Sequence, residues 1–353
     1  MSVATLSRSS EGLRDVYGRG MNIQSDVYKL PADAEEHDRL TLQHRIWKLM
    51  LGGTGLYPPE VENVIQRLLH PDRSSLEDGN ASPAVLDLGS GSGIWAAEMA
   101  AMYPHAMVVG LDLAEPKLQK SFFPPNCSFV TTDLTKGLDA YRESFDLVHC
   151  RCVAGHLVDR IQLMREIAKV LKPGGLILLS DGNFHLYAPD GSHVPPASSP
   201  QFQVSNEVGQ EMHGSWVSNW LSQVIGRVIS ATQDPEHAGG EHIGWLIRQE
   251  DQMEFLGEKA YYSPLILNRQ NMEAASIEQN EIEEELTRLT GRNISNYLTA
   301  SRHILLSAGI SEETVDDWLA RARVEMHVCN APETWFLKWN VAWAVKKVPA
   351  GDC

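Results

Sequence analysis

Basic residues are scarce in this sequence: 30 Lys and Arg stand against 46 Asp and Glu over 353 residues, a formal net charge of −16. Lasting attachment to a phosphate backbone depends on releasing counterions to clustered Lys and Arg, and no such cluster occurs. RNA and DNA are therefore not expected partners. Long apolar runs are missing too. None approaches the roughly 20 residues of a membrane-spanning helix, and Met1 to Glu11 holds no apolar leader core. No membrane partner is expected, and the cytoplasm is the expected compartment, with the nucleus as the alternative. Cysteine is sparse: Cys127, Cys150, Cys152, Cys329 and Cys353 are odd in number and lack a repeated ligand spacing. That excludes a disulfide framework and a metal centre, and leaves Cys150 and Cys152 as buried or pocket-edge thiols in a reducing compartment. Internal repeats and low-complexity tracts are also absent.

What is present is organised around Ala84-Val85-Leu86-Asp87-Leu88-Gly89-Ser90-Gly91-Ser92-Gly93-Ile94-Trp95, followed by the helical pattern of residues 96–102. An apolar strand that runs into alternate glycines and then into a helix brings bare backbone close to a ligand. A pyrophosphate site spaces its glycines G-x-G-x-x-G; here the spacing is G-x-G-x-G, and Asp87 precedes the first glycine by two residues. A carboxylate there repels a pyrophosphate and suits an amino group. The stretch resembles the first motif of the class I S-adenosylmethionine-dependent methyltransferases.

The following apolar runs fall in the order that resemblance implies. Met107 to Leu111 ends in Asp112, with Leu113 beside it, about twenty residues beyond the glycines, where a carboxylate can accept ribose hydroxyls. Cys127 to Thr132 ends in Asp133-Leu134, which in the family read the adenine. Phe145 to His149 and Gly175 to Ser180 read as strands four and five, the fifth introduced by Leu171-Lys172-Pro173-Gly174-Gly175, a turn frequent in these enzymes. The resemblance implies an α/β, Rossmann-like, seven-stranded methyltransferase sheet that binds S-adenosylmethionine through Asp87, Gly89, Ser90, Gly91, Gly93, Asp112, Leu113, Asp133 and Leu134.

Around that core the composition changes. Residues 1 to about 20, rich in Ser, Arg and Gly, are expected to be mobile. An amphipathic helix is expected from Asp33 to Met50, with Leu42, Ile46, Leu49 and Met50 on one face and Gly52-Gly53 closing it. Tyr28, Leu30, Pro31, Asp33, Glu36, Arg39, Leu40, Gln43 and His44 follow a pattern that resembles the N-terminal cap of fungal secondary-metabolism methyltransferases, including the LaeA-like ones. That likeness gives Tyr28 a cofactor role and Gln43 and His44 an acceptor role; the plainer reading is that they bond the helix to the core. Pro58-Pro59-Glu60 opens a further helix. After strand five a mostly helical insertion is expected, with helices within 208–232, 277–289, 294–308 and 312–324, before two last strands at residues 334–339 and 341–347. The domains read as 1–70, tail and cap; 71–183 with 326–353, the methyltransferase core; and 184–325, a substrate or lid insertion.

Methyl transfer from a sulfonium is an in-line displacement on an activated carbon, so positioning and water exclusion supply most of the acceleration. A hydroxyl acceptor calls for one base, whereas a carboxylate needs none. The loop after strand four borders the transferred methyl in this fold. Arg151 there resembles an arginine of the fungal relatives and is expected on the cofactor side. His156 departs from their small polar residue and is the candidate base or acceptor contact, with a helix-capping role as the alternative. His149 sits inside the strand pattern and reads as structural. His213 and Trp216 pair an imidazole with an indole and are candidate acceptor contacts, although tryptophans at helical spacing also build cores. The expected function is methylation of a small-molecule acceptor, at a hydroxyl or carboxyl, in secondary metabolism. The alternative is a LaeA-like regulator that acts through a protein partner, and a homodimer is a further partner reading.

Overall fold

The computed structural model describes residues 13–52, 54–71, 82–197, 214–229, 235–237, 239–266, 277–327 and 334–349. Five strands form the parallel half of the sheet: β3 (Ala84–Leu88), β4 (Met107–Asp112), β5 (Cys127–Thr131), β6 (Phe145–Arg151) and β7 (Leu171–Tyr187), numbered after a small hairpin of β1 (Arg14–Val16) and β2 (Arg19–Met21). Every residue of β3 is buried, as befits a central parallel strand covered on both faces. With β8 (Met253–Ile266) and β9 (Trp335–Lys346) the sheet has seven strands in the order β5-β4-β3-β6-β7-β9-β8, and β9 runs antiparallel to both its neighbours. The strand order reverses at β3, so a cleft opens at the carboxyl ends of β3, β4 and β6.

Four helices flank the parallel half: α1 (Ala34–Leu51), α2 (Glu62–Leu68), α3 (Ile94–Met102) and α4 (Arg160–Val170). Asp33 caps α1 by accepting Glu36 N–H at 3.0 Å, and its carboxylate also holds Arg19. Gly52 ends α1 in the left-handed region, at φ 63°. The apolar stripe of α1 divides its work. Trp47 and Leu51 join the core that backs the sheet, while Leu42 and Ile46 meet Leu286 and Leu289 of the long Ile277–Ser307 helix.

Four expectations are corrected here. The tail is ordered from Leu13 onward as the β1–β2 hairpin, turned by Tyr17 and Gly18 at positive φ. The helix expected within 208–232 begins at Trp216 and is described to Ile229, residues 208–213 and 230–232 lying outside the described residues. The helices at 277–289 and 294–308 are one helix, Ile277–Ser307. Gly291 does not interrupt it because an interior glycine costs only about 1 kcal/mol, less than the packing on either side supplies. Finally, the two last strands are one, β9; Asn340, the apparent break, donates its amide to Asn183 Oδ1 at 2.9 Å inside the sheet. The seventh strand is instead β8, within the stretch read as helical. Its Gly257 and Pro264 are strand breakers on paper, and both sit at register shifts against β9, where bulges accommodate them.

The insertion does not stand apart from the sheet. Trp220, Leu298 and Leu319 share one buried cluster with Leu147, Leu176 and Trp339, and Trp220 Nε1 donates to Ser301 Oγ at 3.0 Å.

Candidate active site

The turn after β3 is built on backbone that only glycine tolerates comfortably. Gly89, Gly91 and Gly93 have φ of 71°, 53° and 78°, and a Cβ on Gly89 would lie 2.3 Å from Cγ2 of Val153. Gly89 N–H and Ser90 N–H both donate to the Leu111 carbonyl, which ties the turn to the end of β4. One residue on, the Asp112 carboxylate accepts Gly91 N–H at 2.8 Å and Ala114 N–H at 3.2 Å. Burial raises the pKa of Asp112, with these amides opposing the shift.

A cavity of about 1160 Å³ opens over this turn. Asp87, Gly89, Ser90, Gly91, Asp112, Leu113, Asp133 and Leu134 line it from the sheet, Tyr28 and Gln43 from the cap, and Arg151 and His156 from the exit of β6. Gly93 is set back as the N-cap of α3. Among the described residues, four carboxylates face the space, those of Glu36, Asp87, Asp112 and Asp133, against one guanidinium, that of Arg151. Asp87 Oδ1 accepts Nδ1–H of His149 at 2.7 Å, so the proton of that neutral imidazole is on Nδ1. The ring lies 3.8 Å above Trp95 in a stack, and burial lowers its pKa. Asp133 accepts from the backbone and hydroxyl of Thr135. Arg151 is partly buried, and the loss of hydration lowers its pKa. Its guanidinium donates to His44 Nδ1 at 3.2 Å, and no carboxylate among the described residues pairs with it.

These features fit one ligand chemistry. The acid-rich wall repels a pyrophosphate and attracts a cation, while the unpaired guanidinium suits a carboxylate. Among the described residues Ser90 Oγ and His156 Nδ1, both on the cavity wall, are buried without a hydrogen-bond partner, which leaves each able to bond a ligand. S-adenosylmethionine carries a sulfonium, an ammonium and a carboxylate, and the residues present fit it. Residues 85–175 match the family described as a methyltransferase domain. The chain carries an S-adenosylmethionine-dependent methyltransferase domain. It is related to the LaeA-like proteins: it is 29% identical to a secondary metabolism regulator laeA of Coprinopsis cinerea over 86% of this chain and 67% of that protein. It is 31% identical to the methyltransferase pytC of Aspergillus terreus over 66% of this chain and 61% of that one, so the chain spans less than two thirds of pytC. Among solved structures, a Haemonchus contortus phosphoethanolamine N-methyltransferase 2 with S-adenosyl-L-methionine bound aligns at 16% identity and a TM-score of 0.39, over 86% of this chain and 57% of that one.

The methyltransferase domain is covered by the cap, which the insertion fastens and an internal ion pair braces. His303 Nε2 meets the Lys29 carbonyl at 2.7 Å, and within the cap Arg19 grips Asp33 at 2.7 Å. Beside the first cavity lies a second of about 650 Å³, and the two share a wall of Tyr28, Leu40, Gln43, Cys152 and His156. Leu30, Leu221, Ile294, Leu337 and Trp339 make its apolar lining, and Arg39, Asp181, Asn183, Asn293 and Tyr297 its polar groups. His156 packs edge-on against Tyr28, at 4.9 Å between ring centroids. Burial, with Arg39 nearby, holds its pKa down to about 4, so the ring is neutral. Cys152, between the cavities, has φ 57°, the strained backbone that accumulates at functional sites.

Other expected acceptor residues lie elsewhere. His44 lines neither cavity; it is buried behind Arg151, and burial lowers its pKa to about 4. Trp216 also lines neither, and Arg321 lies 4.9 Å over its ring. His213 falls outside the described residues. Glu36, Arg39, Leu40, Asp181, Asn293 and Tyr297 line the cavities without being among the site residues expected from the sequence. His149, which reads as structural, also lines the first cavity, and its register partner across β3 and β6 is Asp87 itself, a pairing that no sequence signal marks.

Proposed function

We propose that the chain transfers the methyl group of S-adenosylmethionine to a hydroxyl or carboxyl oxygen of a small, largely apolar molecule. The observation that carries this reading is the pair of adjoining cavities with one wall in common. When bound, the cofactor supplies an electrophilic methyl on a positively charged sulfur. Asp87, Asp112 and Asp133 favour its cationic and hydroxyl-bearing parts, Arg151 its carboxylate, and the glycine turn lets it approach the backbone. His156 and Tyr28, common to both cavities, orient the acceptor against the methyl. The second cavity is walled by the cap, by the exit of β6, by Asp181 to Asn183 within β7, by the insertion and by β9; a recess of that size suits a small molecule better than an extended peptide or nucleic acid. In-line alignment and water exclusion are then the chain's main contributions to rate.

The likeness to laeA proteins named as regulators supports a second reading, in which a protein partner mediates the effect. One experiment separates the two. The purified protein is incubated with methyl-labelled S-adenosylmethionine and an extract of the source cells, and label is counted in organic-soluble and acid-precipitable fractions. Label in the organic phase supports the small-molecule enzyme. Label confined to precipitated protein, or none despite measured cofactor binding, favours the regulator.

A further inference from the structure

Asp181 is a buried carboxylate that the cofactor cavity does not use. It sits on β7 opposite Asn340 of β9 and lines the second cavity, not the first. Its two oxygens accept Gly155 N–H at 3.1 Å and Gly182 N–H at 2.9 Å, which leaves further lone pairs on each oxygen. We propose that Asp181 takes the proton of a hydroxyl-bearing acceptor held in the second cavity. The inference rests on the small-molecule reading above and narrows it from hydroxyl or carboxyl to hydroxyl, because a carboxylate beside Asp181 would be repelled.

The step balances. The acceptor oxygen forms a C–O bond to the methyl carbon as the S–CH₃ bond breaks, the electron pair of that bond goes to sulfur, and the hydroxyl proton passes to an Asp181 oxygen. His156 is a poorer base for this purpose, being held near 4 by burial, whereas burial lifts Asp181 to about 6 against the two amides and Arg160. A base near the working pH combines the correct protonation state with proton affinity. The charged and titratable groups around Asp181 among the described residues are Arg160 from α4, Cys150 and Cys152 from β6 and its exit, Tyr28, Arg39, His156 and Tyr297 across the cavity, and Glu241, which accepts from Asn183 Nδ2 at 3.0 Å on the turn packed against β7. No second carboxylate among the described residues lines the second cavity.

The test compares wild type with Asp181→Asn in three measurements. Calorimetric affinity for S-adenosylmethionine should be unchanged, which also reports that the variant folds. Single-turnover labelling of the organic-soluble product of the source-cell extract should fall about 100-fold, and the limb near pH 6 in the wild-type rate should vanish. Without any acceptor, the melting-temperature difference between variant and wild type should move in the variant's favour by roughly 2 °C from pH 5 to pH 8, since only the wild type has a carboxylate to ionise there. A role confined to holding Gly155 would lower the rate equally at every pH and keep the limb, and would overturn the proposal. So would a variant rate within threefold of wild type, or a melting difference independent of pH. If wild type binds cofactor yet labels nothing organic-soluble, the small-molecule reading itself falls and takes this proposal with it; the pH-dependent melting difference would still identify a titrating buried carboxylate.

Discussion

The two cavities adjoin but are made in different ways. The floor of the first, under the cap, is assembled from strand ends: a few residues after each of β3, β4, β5 and β6 turn toward the same cleft, and hydrogen bonds between adjacent turns, such as Gly91 to Asp112, fix them. The second is assembled from side chains more than 250 residues apart, Leu30 and Arg39 from the cap, Asn293 and Tyr297 from the Ile277–Ser307 helix, Leu337 and Trp339 from β9. A site made by local turns is specified by a short motif. One made by packed side chains exists only once the core has formed, and it can change its occupant through single substitutions.

The largest expected effect falls on the seam between them. Glu36 lines the first cavity and Arg39 the second, and they form a buried ion pair at 2.6 Å, with Arg39 also donating to Asn293. Arg39→Ala would strand the Glu36 carboxylate and destabilise the fold by about 3–5 kcal/mol, measured by urea unfolding. An unaltered midpoint would mean the cavities are not joined through this pair. Next comes the pH dependence of the second cavity. Asp181 has a folded pKa raised to about 6 from 3.8, so its contribution is fully present below the unfolded value and is lost as pH rises through 6. The wild-type minus Asp181→Asn stability should therefore fall by on the order of 3 kcal/mol between pH 4 and pH 7.5.

Smaller effects sharpen the comparison. Asp112→Ala should weaken S-adenosylmethionine binding about 100-fold, through loss of both the ligand contact and the Gly91 anchor; unchanged calorimetric affinity would refute the assignment of the first cavity. His156→Ala, in the shared wall, should leave that affinity intact and lower turnover about tenfold. At the bottom of the scale, Gly291→Ala should stabilise the protein by up to about 1 kcal/mol, because a Cβ there meets nothing within 4 Å. Gly91→Ala should do the opposite, since its φ of 53° and a Leu40 methyl 3.0 Å from the added carbon both resist a side chain. Thermal unfolding of the two variants side by side contrasts a glycine demanded by its backbone with one that is not.

The sequence by itself determined the parallel half of the sheet, its glycine turn and the acids at the strand ends. Those features are local: an apolar run, a left-handed turn and a capped helix are each written within about ten consecutive residues. Even there it left the partner of Asp87 open, because His149 becomes its neighbour only when β3 and β6 pair in register. The antiparallel half was decided by tertiary structure. Whether Gly257 and Pro264 break a strand or form bulges depends on a partner, β9, about eighty residues away, and whether Gly291 ends a helix depends on what packs beside it. His44 and Trp216 bear the residue types of an acceptor site, yet packing turned them to Arg151 and Arg321. Asp181 reads as the end of a strand, and became a cavity carboxylate because β9 and the cap closed over it. Burial, which sets both the pKa of that group and the shape of the space before it, is a property of the whole folded chain and of no segment alone.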